Sequence, residues 1–143
     1  MNLVIIIPAY NEEKILGTVI SSLKKLKIDG FKTEIVVIND GSTDRTLKIA
    51  KTFNVTVLDH MLNRGLGGAL GTGLQYAKLV KADIAVTFDA DGQHLASDVK
   101  KVIKPLLAGD ADFVIGSRML KSLGMPLERK LVNFISNVLT YIL

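Results

Sequence analysis

Cysteine is missing altogether from the 143 residues, which removes disulfides, thiolate metal sites and a cysteine nucleophile. Histidine occurs twice, as His60 and His94, too rarely and too far apart for a histidine metal site, and no Ser-His-Asp arrangement follows from the spacing. Proline is scarce, with 3 residues, while hydrophobic residues make up 48% and charged residues 22%; this is a globular composition, not a disordered or fibrous one. No low-complexity stretch or internal repeat interrupts it. Long apolar runs are lacking near the start as well. The run in MNLVIIIPAY stops at Pro8 after five consecutive residues, with neither a basic segment nor a small-residue cleavage site beside it. It reads as a buried strand and not as a signal peptide.

A chain of this length buries roughly 68% of its unfolded surface around one core. The net charge of +4 comes largely from Lys24, Lys25 and Lys27, from Lys100, Lys101 and Lys104, and from Arg118, Lys121, Arg129 and Lys130. Most of these read as solvated helix faces. The last group borders an apolar C-terminal segment and is the one with functional promise. No nucleic-acid partner is expected, and the absence of cysteine suits the cytoplasm.

Short apolar runs alternate with amphipathic stretches. Strands are expected at Leu3 to Ile7, Glu34 to Ile38, Val55 to Leu58, Ile84 to Phe88 and Phe113 to Ile115, and helices at Glu12 to Lys27, Thr43 to Thr52, Gly67 to Leu79 and Ser97 to Leu107. The fold class is therefore α/β, a single doubly wound, mostly parallel sheet with flanking helices, since right-handed crossovers cover both faces. Residues 1–125 form the α/β domain. Residues 126–143 form an amphipathic C-terminal helix, too short and too interrupted by Asn133, Ser136, Asn137 and Thr140 to span a bilayer, and either interfacial or dimer-forming.

In such sheets, ligands bind beyond the carboxyl ends of the strands. The residues there are unusually polar. Phe88-Asp89-Ala90-Asp91-Gly92-Gln93-His94 carries the strongest chemistry, because Asp89 and Asp91 point the same way at the end of an extended strand. Two converging carboxylates call for a divalent cation, and oxygen ligands favour Mg²⁺ or Mn²⁺ shared with substrate phosphates; the Gln93 amide oxygen adds a further ligand. The competing reading is a turn at Asp91-Gly92 with Asp89 as a surface carboxylate. An EF-hand is excluded by glycine in the fourth position, and an aspartyl-phosphatase motif belongs on the first strand. His94 borders the same pocket.

Asn39-Asp40-Gly41-Ser42-Thr43-Asp44 follows the second strand. Ser42, Asp44 and Thr46 are explained equally well by turn and cap chemistry, whereas Asp40 at the strand end is suited to accept hydrogen bonds from a nucleotide base. Asn63-Arg64-Gly65-Leu66-Gly67-Gly68 precedes a helix, where backbone N–H groups and Arg64 can approach phosphate. Leu70 stands where GxGxxG needs its third glycine, so dinucleotide binding is disfavoured. Helix packing against the sheet explains Gly71 and Gly73 as well as ligand contact does.

Together, Pro8-Ala9-Tyr10-Asn11-Glu12, Asn39-Asp40-Gly41-Ser42-x-Asp44, Asn63-Arg64-Gly65 and Asp89-Ala90-Asp91-Gly92-Gln93-His94 resemble family-two glycosyltransferases. Gly116-Ser117-Arg118 and Met125-Pro126-Leu127-Glu128-Arg129 are similar to the acceptor-side motifs of the dolichyl-phosphate mannose synthase branch. The resemblance implies a nucleotide-sugar-binding domain of the glycosyltransferase A type in which Pro8, Tyr10, Glu12 and Asp40 hold the nucleoside, and Asp89, Ala90 and Asp91 the diphosphate end. It implies metal binding by Asp91 with Gln93, and Arg118, Arg129 and Asn133 facing an acceptor phosphate. The sequence departs from the family pattern at Asn39, where an aspartate is commoner, and at Leu66, where a basic residue is usual. Relatives also continue past this C-terminus, so the chain reads as a fragment or a short form.

The implied reaction is a metal-dependent, inverting transfer of a hexose, from GDP-mannose or UDP-glucose, to a dolichyl or polyprenyl phosphate, with Asp89, Asp91 and Arg118 as catalytic residues. A phosphate monoester is already anionic near neutral pH and needs cations to position it, whereas a hydroxyl acceptor needs a base. A transferase to a saccharide hydroxyl and a noncatalytic nucleotide-sugar-binding module are the alternatives. The location that follows is cytoplasmic, or peripheral on the cytoplasmic face of a membrane.

Overall fold

The computed structural model describes residues 1–116. Ser117, Arg118, Arg129, Asn133 and the helix expected over 126–143 lie outside the described residues. The elements alternate along the chain as β1 (Asn2–Ala9), α1 (Leu16–Lys24), β2 (Lys32–Asp40), α2 (Thr46–Thr52), β3 (Thr56–His60), α3 (Gly65–Leu79), β4 (Ile84–Thr87) and α4 (Asp98–Ala108). The four strands form one sheet in the order β3-β2-β1-β4, and every pairing is parallel. β1 lies centrally, with β2 on one side and β4 on the other. The strand order therefore reverses beside β1, which makes the gap between the carboxyl ends of β1 and β4 the topological switch point where ligands bind in sheets of this kind.

The two-residue repeat of a strand sorts the core into two layers. Leu3, Ile5, Ile7, Ile35 and Val37 face one way, onto α1 residues Leu16, Val19, Ile20 and Leu23 and α4 residues Val99 and Ile103. Val4, Ile6, Val36 and Ile38 face the other way, onto Ala69 and Ala77 of α3. Ile5, Ile6 and Ile7 are fully buried, each contributing about 2 kcal/mol through burial. Helix α3 can lie close to the sheet because Gly73 has no side chain, and a Cβ there would overlap Cγ2 of Ile6. By contrast, Gly71 has open space beside its Cα, so only Gly73 is explained by packing.

At the amino ends of the strands, the chain closes on itself. The N-terminal ammonium donates to the Gly30 carbonyl at 3.0 Å and the Asn2 N–H to Asp83 at 2.6 Å. The turn at Gly30 runs through φ +78° with nothing near its Cα. Between the two rims, Glu34 on β2 accepts from Tyr76 of α3 at 2.6 Å and from Thr56 of β3 at 2.8 Å, tying three elements together.

Two expectations need correction. Helix α1 starts at Leu16, four residues later than the apolar spacing predicts, because Asn11 adopts φ 57° and residues Glu12 to Ile15 form a separate turn. Phe113 to Ile115 is not a strand: Phe113 and Ile115 are 78% and 76% exposed and join no ladder among the described residues. An apolar triplet carries no strand signal without a neighbouring strand to pair with.

Candidate functional site

The carboxyl rim is built first from backbone. In the loop after β1, the Asn11 N–H donates to Ser42 Oγ at 3.0 Å, and Asn11 Oδ1 accepts from the Thr43 N–H at 2.9 Å. The Glu12 N–H donates to Thr46 Oγ1 at 2.8 Å and the Glu13 N–H to Asp44 Oδ2 at 3.1 Å. Asp44 Oδ1 in turn accepts from the Thr46 N–H and hydroxyl at the start of α2. Ser42, Asp44 and Thr46 are thus turn and cap residues that weld the loops after β1 and β2 together. Burial would raise the Asp44 carboxyl, but the bonds from Thr46 and Glu13 outweigh it and hold it below the usual carboxylate range. Gly41, at φ +67°, is required by the close approach of the loop after β3, since a Cβ there would stand 2.5 Å from the Asn63 nitrogen.

On this frame stand Pro8, half-buried at the end of β1, and Tyr10, 47% exposed. Glu12 is part-buried nearby. Burial first, then the charges of Asp91 and Asp44, push its carboxyl above the usual range. That ties the loop after β1 electrostatically to the loop after β4, across the switch point.

The strand alternation continues beyond β4. The Phe88 N–H still bonds to Ile6 at 2.8 Å, Phe88 and Ala90 are buried, and Asp89, Asp91 and Gln93 are exposed. Asp89 Oδ2 bonds to His94 Nε2 at 2.9 Å, with the His94 ring edge-on to Phe88. Asp91 Oδ1 accepts from the Gln93 N–H at 2.8 Å, so the Asp91-Gly92 turn exists and carries an outward carboxylate on it. Each of these bonds uses one carboxylate oxygen. Among the described residues, no three His, Asp or Glu side chains gather into a metal-holding group. Two exposed carboxylates and the Gln93 amide, with Glu12 as an acidic neighbour, are oxygen-bearing groups of the kind that would suit a hard divalent cation completed by phosphate oxygens.

The β2–β3 register pairs Asn39 with Asp59 and Asp40 with His60. Asn39, 2% exposed, donates from Nδ2 to Asp59 at 2.7 Å, and its buried Oδ1 has no partner among the described residues. Asp40, 3% exposed, takes His60 Nδ1 at 2.7 Å and the Arg64 N–H at 2.9 Å on Oδ1. Burial would raise its carboxyl. The bonds from His60, Arg64 and Gly65, with the electrostatic influence of the imidazole, prevail and hold it low. The sequence alone offers no role for Asp59 and none for His60 beyond its unsuitability as a histidine metal ligand, and both become visible once β2 and β3 are aligned as parallel neighbours.

Arg64 is exposed at the start of α3, whose first turns hold Gly65, Gly67 and Gly68. Gly65 and Gly67 have open space beside them, whereas a Cβ on Gly68 would meet Cβ of Arg64 at 2.7 Å. Pro8, Tyr10, Glu12, Asp40, Arg64, Asp89, Ala90, Asp91 and Gln93 all belong to one rim of the sheet. A cleft of about 620 Å³ touched by Lys24, Lys32 and Thr56 lies toward the opposite ends of the strands and takes no part in it.

Residues 4–141 match the model of Glycosyl transferase family 2. Over 142 residues, the chain is 51% identical to an uncharacterized protein of Methanocaldococcus jannaschii, covering 97% of this chain and 57% of that one. It is 38% identical to the UDP-N-acetylglucosamine–dolichyl-phosphate N-acetylglucosaminyltransferase of Methanococcus voltae, covering 97% of this chain and 62% of the relative. The chain therefore spans about three fifths of the length of these relatives. Among solved structures, it is similar to glucosyl-3-phosphoglycerate synthase from Mycobacterium tuberculosis in complex with Mn²⁺, UDP and glucosyl-3-phosphoglycerate, with a TM-score of 0.61 and 29% identity over 74% of this chain and 39% of that one. The sheet is accordingly that of the glycosyltransferase A type, and with residues 4–141 matched by the family model, the chain belongs to glycosyl transferase family 2.

Proposed function

We propose that this chain provides the donor-binding part of a metal-dependent, inverting glycosyltransferase that passes a sugar from a uridine-diphosphate donor to a polyprenyl or dolichyl phosphate. The observation that carries the reading is the rim at the switch point, where exposed Asp89 and Asp91 follow β4 and the Glu12 carboxyl across from them is raised in part by Asp91. Repulsion among acids at a strand tip is what a shared cation would relieve. Uridine is favoured over guanosine because the named relative uses a UDP-sugar and the solved neighbour holds UDP.

In this reading, the Asp40 carboxylate accepts from the base, Pro8 and Tyr10 flank the nucleoside, and Arg64 with the open first turn of α3 lies toward the diphosphate. Asp89, Asp91 and Gln93 would hold Mg²⁺ or Mn²⁺, which when bound stabilises the negative charge of the departing nucleoside diphosphate as a Lewis acid. An acceptor phosphate oxygen forms the new bond to the anomeric carbon from the opposite face. The bond to the diphosphate breaks, its electron pair leaving with UDP. No protein base is required, because the acceptor is already ionised. Arg118, Arg129 and Asn133 are assigned to the acceptor phosphate by the family pattern alone. Exposed Met61, Leu62 and Leu66 (98%, 78% and 62%) follow β3 on the same rim and support an acceptor presented at a membrane surface. No helix among the described residues is long and apolar enough to cross a membrane.

Calorimetric titration of the chain with UDP-N-acetylglucosamine, UDP-glucose and GDP-mannose, with Mn²⁺ or Mg²⁺ and beside Asp91→Asn, tests the donor assignment. Metal-dependent binding should weaken about tenfold or more in the variant, on the order of one lost charged contact. Unchanged affinity defeats the proposal. Supplying polyprenyl phosphate or a soluble saccharide then assigns the acceptor, and donor binding without turnover on either marks a noncatalytic module.

A further inference from the structure

Two cross-strand pairs sit next to each other at the rim, and strand alternation sends them to opposite faces. Asn39 and Asp59 lie on the side of α1 and α2, and Asp40 and His60 on the side of α3. The second pair is almost sealed, with side chains 4% and 8% exposed. His60 is held at both ends, since Nδ1 is 2.7 Å from Asp40 Oδ1 and Nε2 is 2.9 Å from Thr72 Oγ1 on α3. The Thr72 hydroxyl is itself 3.0 Å from the Gly68 carbonyl. An ionised carboxylate only accepts, so Nδ1 must carry hydrogen toward Asp40, while Nε2 faces a hydroxyl able to give or take one. The Asp40 carboxylate is thus turned by groups from β3 and from the α2-distal face of the sheet, with the Arg64 N–H at 2.9 Å on the same oxygen.

We infer that His60 is a positioning residue for donor recognition, which through its bonds to Asp40 and Thr72 sets the orientation of the Asp40 carboxylate and yokes it to the glycine-rich first turns of α3. The inference rests on Asp40 as the base contact. A carboxylate free to rotate presents its lone pairs to a base edge only part of the time, whereas one fixed on Oδ1 presents the same face throughout. Through Thr72, the same imidazole keeps α3, which begins at Gly65 directly after Arg64, in step with the base site.

The test is UDP affinity, measured on the full chain for Asp40→Asn, His60→Ala, His60→Asn, Thr72→Val and the Asp40→Asn/His60→Ala double variant, each also followed by thermal unfolding. Asparagine at position 60 keeps an N–H where Nδ1 stands and loses the reach to Thr72. His60→Ala should weaken UDP about tenfold, His60→Asn should recover most of that, and the double variant should bind no worse than Asp40→Asn alone. Two results would overturn the inference while leaving Asp40 as base contact: UDP affinity unchanged in His60→Ala while Asp40→Asn abolishes binding, or equal losses in His60→Ala and His60→Asn that merely track their melting temperatures. Unchanged affinity in Asp40→Asn itself would instead remove the base assignment underneath it.

Discussion

Asn39 shows how one atom's identity follows from its neighbour. Where the pattern that the sequence resembles has an aspartate, this chain has a buried amide donating to Asp59 at 2.7 Å, and a carboxylate there would face another carboxylate. Asn39→Asp should cost about 2 kcal/mol of stability, the scale of a buried group left unpaired, measured by urea unfolding. Exchanging the two residues as Asn39→Asp with Asp59→Asn should restore most of it, and failure of the exchange would refute this account. Glu12 has the opposite economy. Its raised carboxyl means that the folded state binds a proton more readily than the unfolded chain, so its contribution falls as pH rises past the ordinary value of 4.5. Glu12→Gln should therefore melt higher than the parent at neutral pH without ligand, yet gain less from added Mn²⁺. A lower melting temperature would contradict the assignment of burial and like charge as the cause.

At the scale of elements, β1 to β4 and all four helices are legible in the sequence, because β-branched runs and i, i+3, i+4 spacing report burial directly. The late opening of α1 and the lack of a strand at 113–115 among the described residues are illegible for one reason: both depend on partners. Asn11 takes its left-handed conformation while bridging to Ser42 and Thr43, and Phe113 to Ile115 joins no ladder among the described residues. The candidate site divides in the same way. Asp40, Asp89 and Asp91 could be found as acids following apolar runs, whereas His60 and Asp59 matter only through the β2–β3 register. Element packing also separates two glycines that look alike in sequence. Gly73→Ala should destabilise by about 1–3 kcal/mol by driving a methyl group into Ile6. Gly71→Ala, with open space beside it, should be neutral or stabilising by helix propensity; equal effects would show that α3 does not lie on β1 as described.

For the whole molecule, Asp40 and Asp44 at the rim contribute to acid sensitivity. Asp40 and Asp44 lie below their ordinary value of 3.8, so the stability they contribute is present above that pH and is lost as pH falls through their folded values. Asp44→Asn keeps a capping side chain but cannot titrate, and its unfolding free energy should fall less steeply below about pH 4 than the parent's. Identical acid slopes would rule Asp44 out as a contributor. The chain's two rims also divide the labour of handling it. Asp29 and Gly30 are exposed in the turn at the amino ends of the strands, and the chain has no cysteine, so a single thiol introduced as Asp29→Cys gives one uniquely reactive anchor. Tethered there to a sensor chip or a dye, the protein would present its acidic edge to the solution, with the tether at the opposite rim.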